Sequence, residues 1–250
     1  MELLPITTQV LKAGDDLASI LMSAGDIADG DIVVVSSKAI ATVEGAAIHL
    51  DDVTVSSEAA QLGEAHSKPG AYYQVVLDET ARMNGKVIQS VSGIVLTELK
   101  PDGMKEGSIL VPNAGLDQSN VKEGHVIGWP TDPVKSAKKL REDLGGNVGV
   151  IVTDSGLSPR RKGVISFALT VSGLDPFASM IGKPDLFGNA MSVTEEAIAD
   201  QLATAANFIM GNTNQSTPAV IIRGHDISMN DFSGWVEGIE REKDIYHGVI

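Results

Sequence analysis

Two carboxylates have neighbours that suit them to holding a cation. Asp117 lies in the polar run Asn113-Ala114-Gly115-Leu116-Asp117-Gln118-Ser119-Asn120, and Asp154 follows the apolar run Val148–Thr153 with Ser155 directly after it. A strand-end carboxylate beside a hydroxyl can bind one or two divalent cations, which in turn bridge phosphate oxygens. The same residue types also build turns and cap helices, so spacing alone leaves both roles open. Arg160-Arg161-Lys162, just behind Asp154, is either a solvated face or a hold on an anionic substrate. Lys38, in Val-Val-Ser-Ser-Lys, is either a surface stop after a buried strand or a further cationic contact. The segment Gly211–Thr217 (GNTNQST) either ends a helix or offers amides and side-chain oxygens to a phosphate or metal. His225, in Arg-Gly-His-Asp, is a loop histidine with the option of acid–base work.

Composition narrows these options. The chain has 250 residues, 33 acidic and 19 basic, for a formal charge of −14. That balance argues against a nucleic-acid partner, whose affinity comes mostly from lysines and arginines that displace counterions. An aromatic content of 4% also argues against a surface for stacking bases. The absence of cysteine excludes disulfides, thiolate metal sites and a cysteine nucleophile. His49, His66, His125, His225 and His247 form no i, i+4 pair, so oxygen-bound Mg²⁺ or Mn²⁺ is the expected metal. There is no G-x-x-x-x-G-K-[ST] loop, no G-x-G-x-x-G between strand and helix, and no G-x-S-x-G elbow. The start MELLPITTQVLK has no basic region before an apolar one, and no apolar run approaches ~20 residues, so a cytoplasmic protein without a membrane partner is expected.

The elements that must position these residues follow from periodicity. Asp15 or Asp16 can cap a helix with Leu17, Ile20 and Leu21 inward, and Asp31–Ser37 reads as a strand covered on both faces. Ser56–Ala65 and Ala71–Met83 read as helices, then Val91–Leu99 and Ser108–Val111 as a hairpin around PDGMKEG. Ser136–Leu144 reads as a helix stopped by Gly145-Gly146, and Val148–Thr153 and Val164–Val171 as strands, the first ending at Asp154. Ser192 and Glu195 read as a capping box before a helix to about Met210, with Ala197, Ile198, Gln201, Leu202, Ala205 and Phe208 on one side. A strand at Ala219–Arg223 and a helix around Trp235–Arg241 complete the reading. Without a steady βαβ rhythm the fold class is α+β, and the length suits one large domain or two intimate small ones.

Nine segments together resemble the coenzyme F420-0:L-glutamate ligase family: GDDLASIL, DGDIVVVSSK with VEG after it, VVLDET, NAGLDQSNV, DPVKSAKKLRE, GVIVTDS, GKPDLFG, ADQLATAANFIMG and PAVIIRG. The resemblance runs nearly end to end and implies a mixed-sheet, two-lobed α+β ligase, with residues 1–250 as a single domain of that type. Such a ligase is a homodimer that takes GTP, L-glutamate and the F420 precursor as small-molecule substrates, with two divalent cations, Mg²⁺ or Mn²⁺, and K⁺ as a further candidate. Carried over by position, Asp117 and Asp154 are ligands of the first cation, and Ser155 and Asn212 belong to the second. Nucleotide contacts fall on Asn120, on Ser37 and Lys38, on Thr42, on Gln9, Val10 and Leu11, and on the loop Gly211–Pro218, which includes Thr213, Asn214 and Gln215. Arg161, with Arg160 and Arg223, is a candidate to hold an acceptor carboxylate or phosphate.

The implied mechanism is attack of the precursor carboxylate on the γ-phosphate, then displacement of phosphate from the acyl phosphate by the glutamate amine. The chain departs from the family pattern at four places: Thr42 stands for a lysine, Ser158 for an arginine, Asn189 for an arginine, and Asn212 for a glutamate or glutamine. One lost charged partner at a phosphate site costs about 1.5–3 kcal/mol. Arg160 and Lys162 are the nearest compensating charges. Two alternatives stay beside the family reaction: an amide ligase with another acceptor or nucleotide, and a non-catalytic protein that binds a nucleotide or deazaflavin.

Overall fold

The computed structural model describes residues 1–249. In chain order its first half comprises β1 (Glu2–Ile6), α1 (Leu17–Ala24), β2 (Ile32–Ser36), α2 (Ser37–Val43), β3 (Ile48–His49), α3 (Ser57–His66), α4 (Gly70–Arg82), β4 (Lys86–Val91), β5 (Ile94–Leu99), β6 (Ile109–Pro112) and β7 (His125–Val126). Its second half comprises α5 (Pro133–Leu144), β8 (Gly149–Leu157), β9 (Val164–Leu174), β10 (Ala178–Ser179), β11 (Glu195–Glu196), α6 (Ile198–Met210), β12 (Ala219–Arg223) and β13 (Met229–Trp235).

The continuous apolar run of β2 is explained by a sheet covered on both faces. Val33 and Val35 face one core while Ile32 and Val34 face a second, because successive strand side chains point to opposite sides. The six-stranded sheet has the order β1-β12-β2-β8-β9-β13, in which only β2 and β8 are parallel. Helix α6 covers one face through Ala199, Leu202, Ala203, Ala206 and Met210. Helices α1, α2 and α5 lie in the other core, together with the inner side of the antiparallel sheet β4-β5-β6. This is a mixed α+β architecture.

Register explains where chemistry can gather. Ser36 pairs with Thr153, Ala219 with Val35, Ile6 with Ala219, and Asp154 with Phe167. The C-terminal ends of β1 and β2 therefore meet the start of β12 and the Asp154 stretch of β8 at one edge of the sheet. Asp117 reaches that edge from the segment after β6. It exchanges two backbone hydrogen bonds with Ile127, at 2.9 and 3.0 Å, after a tight turn in which Asn113, Ala114 and Gly115 all have positive φ.

Local chemistry accounts for the helix boundaries. The Asp16 side chain accepts from the Ser19 amide at 3.1 Å and caps α1. Asp132 caps α5, Pro133 opens it and Gly145 closes it. Near the C-terminus, Glu237 Oε2 accepts from the amides of Lys105 and Glu106 at 2.9 and 2.7 Å, and Glu240 Oε1 from that of Gly107 at 3.0 Å. These bonds tie the β5–β6 turn to the segment after β13.

Several sequence expectations are corrected. The C-terminal helix around Trp235–Arg241 is absent: Trp235 ends β13, and only Arg241–Lys243 makes a short 3₁₀ turn. Glu237 and Glu240 are committed to loop amides there, and a continuous helix would withdraw them. The capping box is not formed, because Glu195 pairs with Ser179 across a short ladder and α6 starts at Ile198 without a side-chain cap. The buried face of α6 is rotated from the expected one, leaving Phe208 87% exposed, since small alanines at 199, 203 and 206 let the helix approach the sheet. Ser37 begins α2 rather than ending β2. The expected hairpin gains a third strand, β4, and β8 continues through Asp154 to Leu157 instead of ending before it.

Candidate functional site

At the edge where those strand ends meet lies a cavity of about 630 Å³. Its walls come from Thr8–Leu11 after β1, Lys38 and Thr42 on α2, Asp117 with Ser119 and Asn120, Thr153 to Ser155 on β8, and the loop 211–218 before β12. Short polar residues dominate because three of these segments are loops, where backbone amides and side-chain oxygens are free of the sheet ladder.

Lys38 is placed by the first turn of α2. Its Nζ donates to Asp117 Oδ2 at 2.5 Å, and to the carbonyl and Oγ of Ser119, each at 2.9 Å. Ser119 in turn donates its amide to Asp117 Oδ1 at 2.8 Å and its hydroxyl to Oδ2 at 2.6 Å. Burial works to raise the Asp117 carboxyl, but Lys38 and Ser119 outweigh it and hold the group below the ordinary carboxylate value. Across the cavity, Asn120 Nδ2 donates to the Thr213 carbonyl at 2.9 Å and links the Asp117 loop to the loop before β12.

Asp154 sits differently. It is half-buried within β8, and Trp129 Nε1 donates to its Oδ2 at 2.5 Å while the Ser155 amide donates to Oδ1 at 2.8 Å. Burial pushes its carboxyl up to about 6, against the pull of Trp129, Ser155 and Lys38, and the negative charge of Asp117 adds to the rise. The two carboxylates thus feel one another, one paired with an ammonium and one held only by neutral donors.

The charged side chains lining the cavity are Lys38, Asp117 and Asp154. Among the described residues no three His, Cys, Asp or Glu side chains are grouped to hold a metal ion. A cation here would draw on Asp117 and Asp154 with the oxygens of Ser155 and Asn212, a donor set of hard oxygens that suits Mg²⁺ or Mn²⁺.

Most residues singled out from sequence are brought together. Gln9, Val10, Leu11, Lys38, Thr42, Asp117, Asn120, Asp154, Ser155, Gly211, Asn212, Thr213, Asn214 and Gln215 all line the cavity. Ser37 is buried in the first turn of α2 and does not line it. Arg161, with Arg160 and Lys162, projects to solvent from the β8–β9 turn outside the lining. Arg223 lies at the opposite end of the sheet, where Nε and Nη2 grip the two oxygens of buried Asp31 at 2.8 and 2.7 Å. Its charge is spent there. His225 follows at the same far end, its Nδ1 accepting from the Ile227 amide at 3.2 Å. Sequence reading missed Trp129 and the use made of Ser119. Ser119 is discoverable from sequence, since an Asp in a polar loop favours an Asx turn in which the amide two residues on donates to the carboxylate, as the Ser119 amide does. A lone tryptophan in Gly-Trp-Pro carries no such signal.

A profile described as F420-0:Gamma-glutamyl ligase matches residues 5–224. The chain is 36% identical over 223 residues to the coenzyme F420:L-glutamate ligase of Archaeoglobus fulgidus, covering 88% of this chain and 85% of that protein. It is 34% identical over 238 residues to that of Methanopyrus kandleri, covering 94% and 90%. For that of Methanocaldococcus jannaschii the identity is 33% over 251 residues, covering 98% and 96%. The chain belongs to the F420-0:gamma-glutamyl ligase family.

Proposed function

We propose that this family member joins L-glutamate to the carboxylate of a coenzyme F420 precursor in a GTP- and divalent-metal-dependent reaction. The observation that carries the reading is the cavity itself, which gathers Lys38, Asp117, Asp154 and Asn120 against the 211–218 loop. With two carboxylates and one ammonium, its charged lining sums to −1. A nucleoside triphosphate entering such a lining needs added positive charge, which favours metal-dependent chemistry. Bound divalent cations would supply that neutralisation, the larger part of phosphoryl-transfer catalysis.

The residues have distinct duties in this reading. Asp117 and Asp154 present carboxylate oxygens to the cations, with the Ser155 hydroxyl and Asn212 beside them. Lys38 offers an ammonium to phosphate once substrate competes with Asp117 for it. Asn120 and residues 211–215 hold the nucleotide. The precursor carboxylate attacks the γ-phosphorus and GDP leaves. The glutamate amine then attacks the acyl carbon, phosphate leaves, and the amine loses a proton to form the amide. No side chain becomes covalently modified. The two-lobed family fold, the single domain and the homodimer belong to the same reading.

Mass spectrometry of reactions with precursor, L-glutamate, GTP and Mn²⁺ tests it, with a product heavier by one glutamyl unit expected only when glutamate is present. Asp117→Asn and Asp154→Asn are expected to abolish Mn²⁺-dependent nucleotide binding while keeping the fold, and binding equal to the parent's would refute the metal assignment. A monomer in light scattering would refute the dimer. A second reading, an amide ligase with another acceptor or nucleotide, draws on Thr42 and Asn212, which depart from the family pattern and both line the cavity. It predicts phosphate release without the glutamylated product.

A further inference from the structure

Trp129 is an unusual neighbour for a cavity carboxylate. The side chain is 3% exposed and its ring is fixed on several sides: Phe167 meets it edge-on with centroids 6.5 Å apart, and Trp235 lies tilted at the same separation. At Gly115, with φ +75°, an added Cβ would fall 2.5 Å from the indole Nε1 and Cε2, so the backbone there approaches the ring as closely as only glycine allows. What this packing holds in place is one hydrogen bond, from Nε1 to Asp154 Oδ2.

An ionised carboxylate has about four acceptor directions, two on each oxygen. In Asp154 the Trp129 indole uses one on Oδ2 and the Ser155 amide uses one on Oδ1. One direction on each oxygen is left for a ligand. The two donors are neutral, so they orient the carboxylate without adding a positive charge that would repel a cation. Asp117 differs in this respect, since its partner is an ammonium.

We propose that Trp129 is a positioning residue for the cation site: its indole N–H fixes the Asp154 carboxylate in the orientation that binds a divalent cation, and so sets the affinity for that cation. The inference rests on the metal reading given above. It is tested on the full chain without nucleotide or acceptor, by titrating Mn²⁺ and following the free ion by electron paramagnetic resonance, so turnover plays no part. Asp154→Asn defines the site. Trp129→Phe removes the N–H together with part of the ring. Benzothienylalanine incorporated at position 129 keeps the ring's size and shape but places sulfur where the N–H was.

The expected result is loss of the site in Asp154→Asn and an affinity lower by about 10- to 100-fold in both position-129 proteins, with unchanged circular dichroism. Parental affinity in the benzothienyl protein overturns the proposal, whether or not Trp129→Phe is weakened, because packing without the N–H would then suffice. Absence of Mn²⁺ binding in the parent, or equal binding in Asp154→Asn, overturns the metal reading and this inference with it.

Discussion

Asp154 carries a stability consequence of its own. Its carboxyl titrates near 6 in the folded chain, against an ordinary value of 3.8, mainly because of burial. Between those values the folded state binds a proton that the unfolded state has released. The contribution is therefore fully present below about pH 4 and is lost as pH rises through about 6. In chelator, Asp154→Asn should exceed the parent in stability at pH 7.5 by roughly 1–3 kcal/mol, with the gap closing near pH 4, as read from urea midpoints across pH. A variant less stable than the parent at pH 7.5 would show that the donors Trp129 and Ser155 outweigh burial. Asp117, Asp154, Lys38 and the 211–217 loop were legible at this scale by type, because Asp, Asn, Ser and Lys advertise their donors and acceptors. Which cations they face was not. Arg161 and Arg223 look equivalent as letters, yet one points to solvent and the other is consumed by Asp31.

The turn at 113–115 shows how an element, rather than a residue, delivers chemistry. Its three consecutive positive φ values, 52°, 52° and 75°, reverse the chain between β6 and Asp117. The Asn113 side chain accepts from the Val95 amide at 2.9 Å, and the Ala114 amide donates to Thr97 Oγ1 at 3.2 Å, so the turn is anchored on β5. Gly115→Ala would set a Cβ into the Trp129 ring as well as strain the backbone. It should cost roughly 1–3 kcal/mol in urea denaturation. It should also weaken Mn²⁺ binding through displacement of Trp129. Wild-type stability and binding together would show that the ring is not held as described. Periodicity found β2, β8, β9 and β12 of the main sheet and five of the six described α-helices, but it missed β1, α2 and β13 and misplaced the start and buried face of α6. Four alanines spread around α6 leave several small faces, and only packing into the core it shares with the sheet selects among them.

Across the whole molecule, the C-terminal segment joins the outer three-stranded sheet to the main one through Glu237 and Glu240. Glu237→Ala leaves the Lys105 and Glu106 amides without their acceptor. It should lower stability by about 0.5–1.5 kcal/mol and speed hydrogen exchange at those two amides, an outcome read by urea denaturation and by exchange mass spectrometry. Unchanged exchange would remove this tie from the account. The sequence by itself determined the α+β class and the two-faced burial of the central strands, which follow from composition and hydrophobic period, both of them local. Asp117, Asp154, Lys38 and the 211–217 loop stood out by side-chain chemistry, while Gln9–Leu11 and Thr42 were marked as cavity-wall residues only through the family resemblance. Only the tertiary structure decided that the ends of β1, β2, β8 and the start of β12 meet at one edge. It alone showed that Lys38 pairs with Asp117 and that Trp129 holds Asp154. Those contacts join residues far apart in the chain, 79 positions for Lys38 and Asp117, and are set by strand register and loop closure, which no single segment encodes.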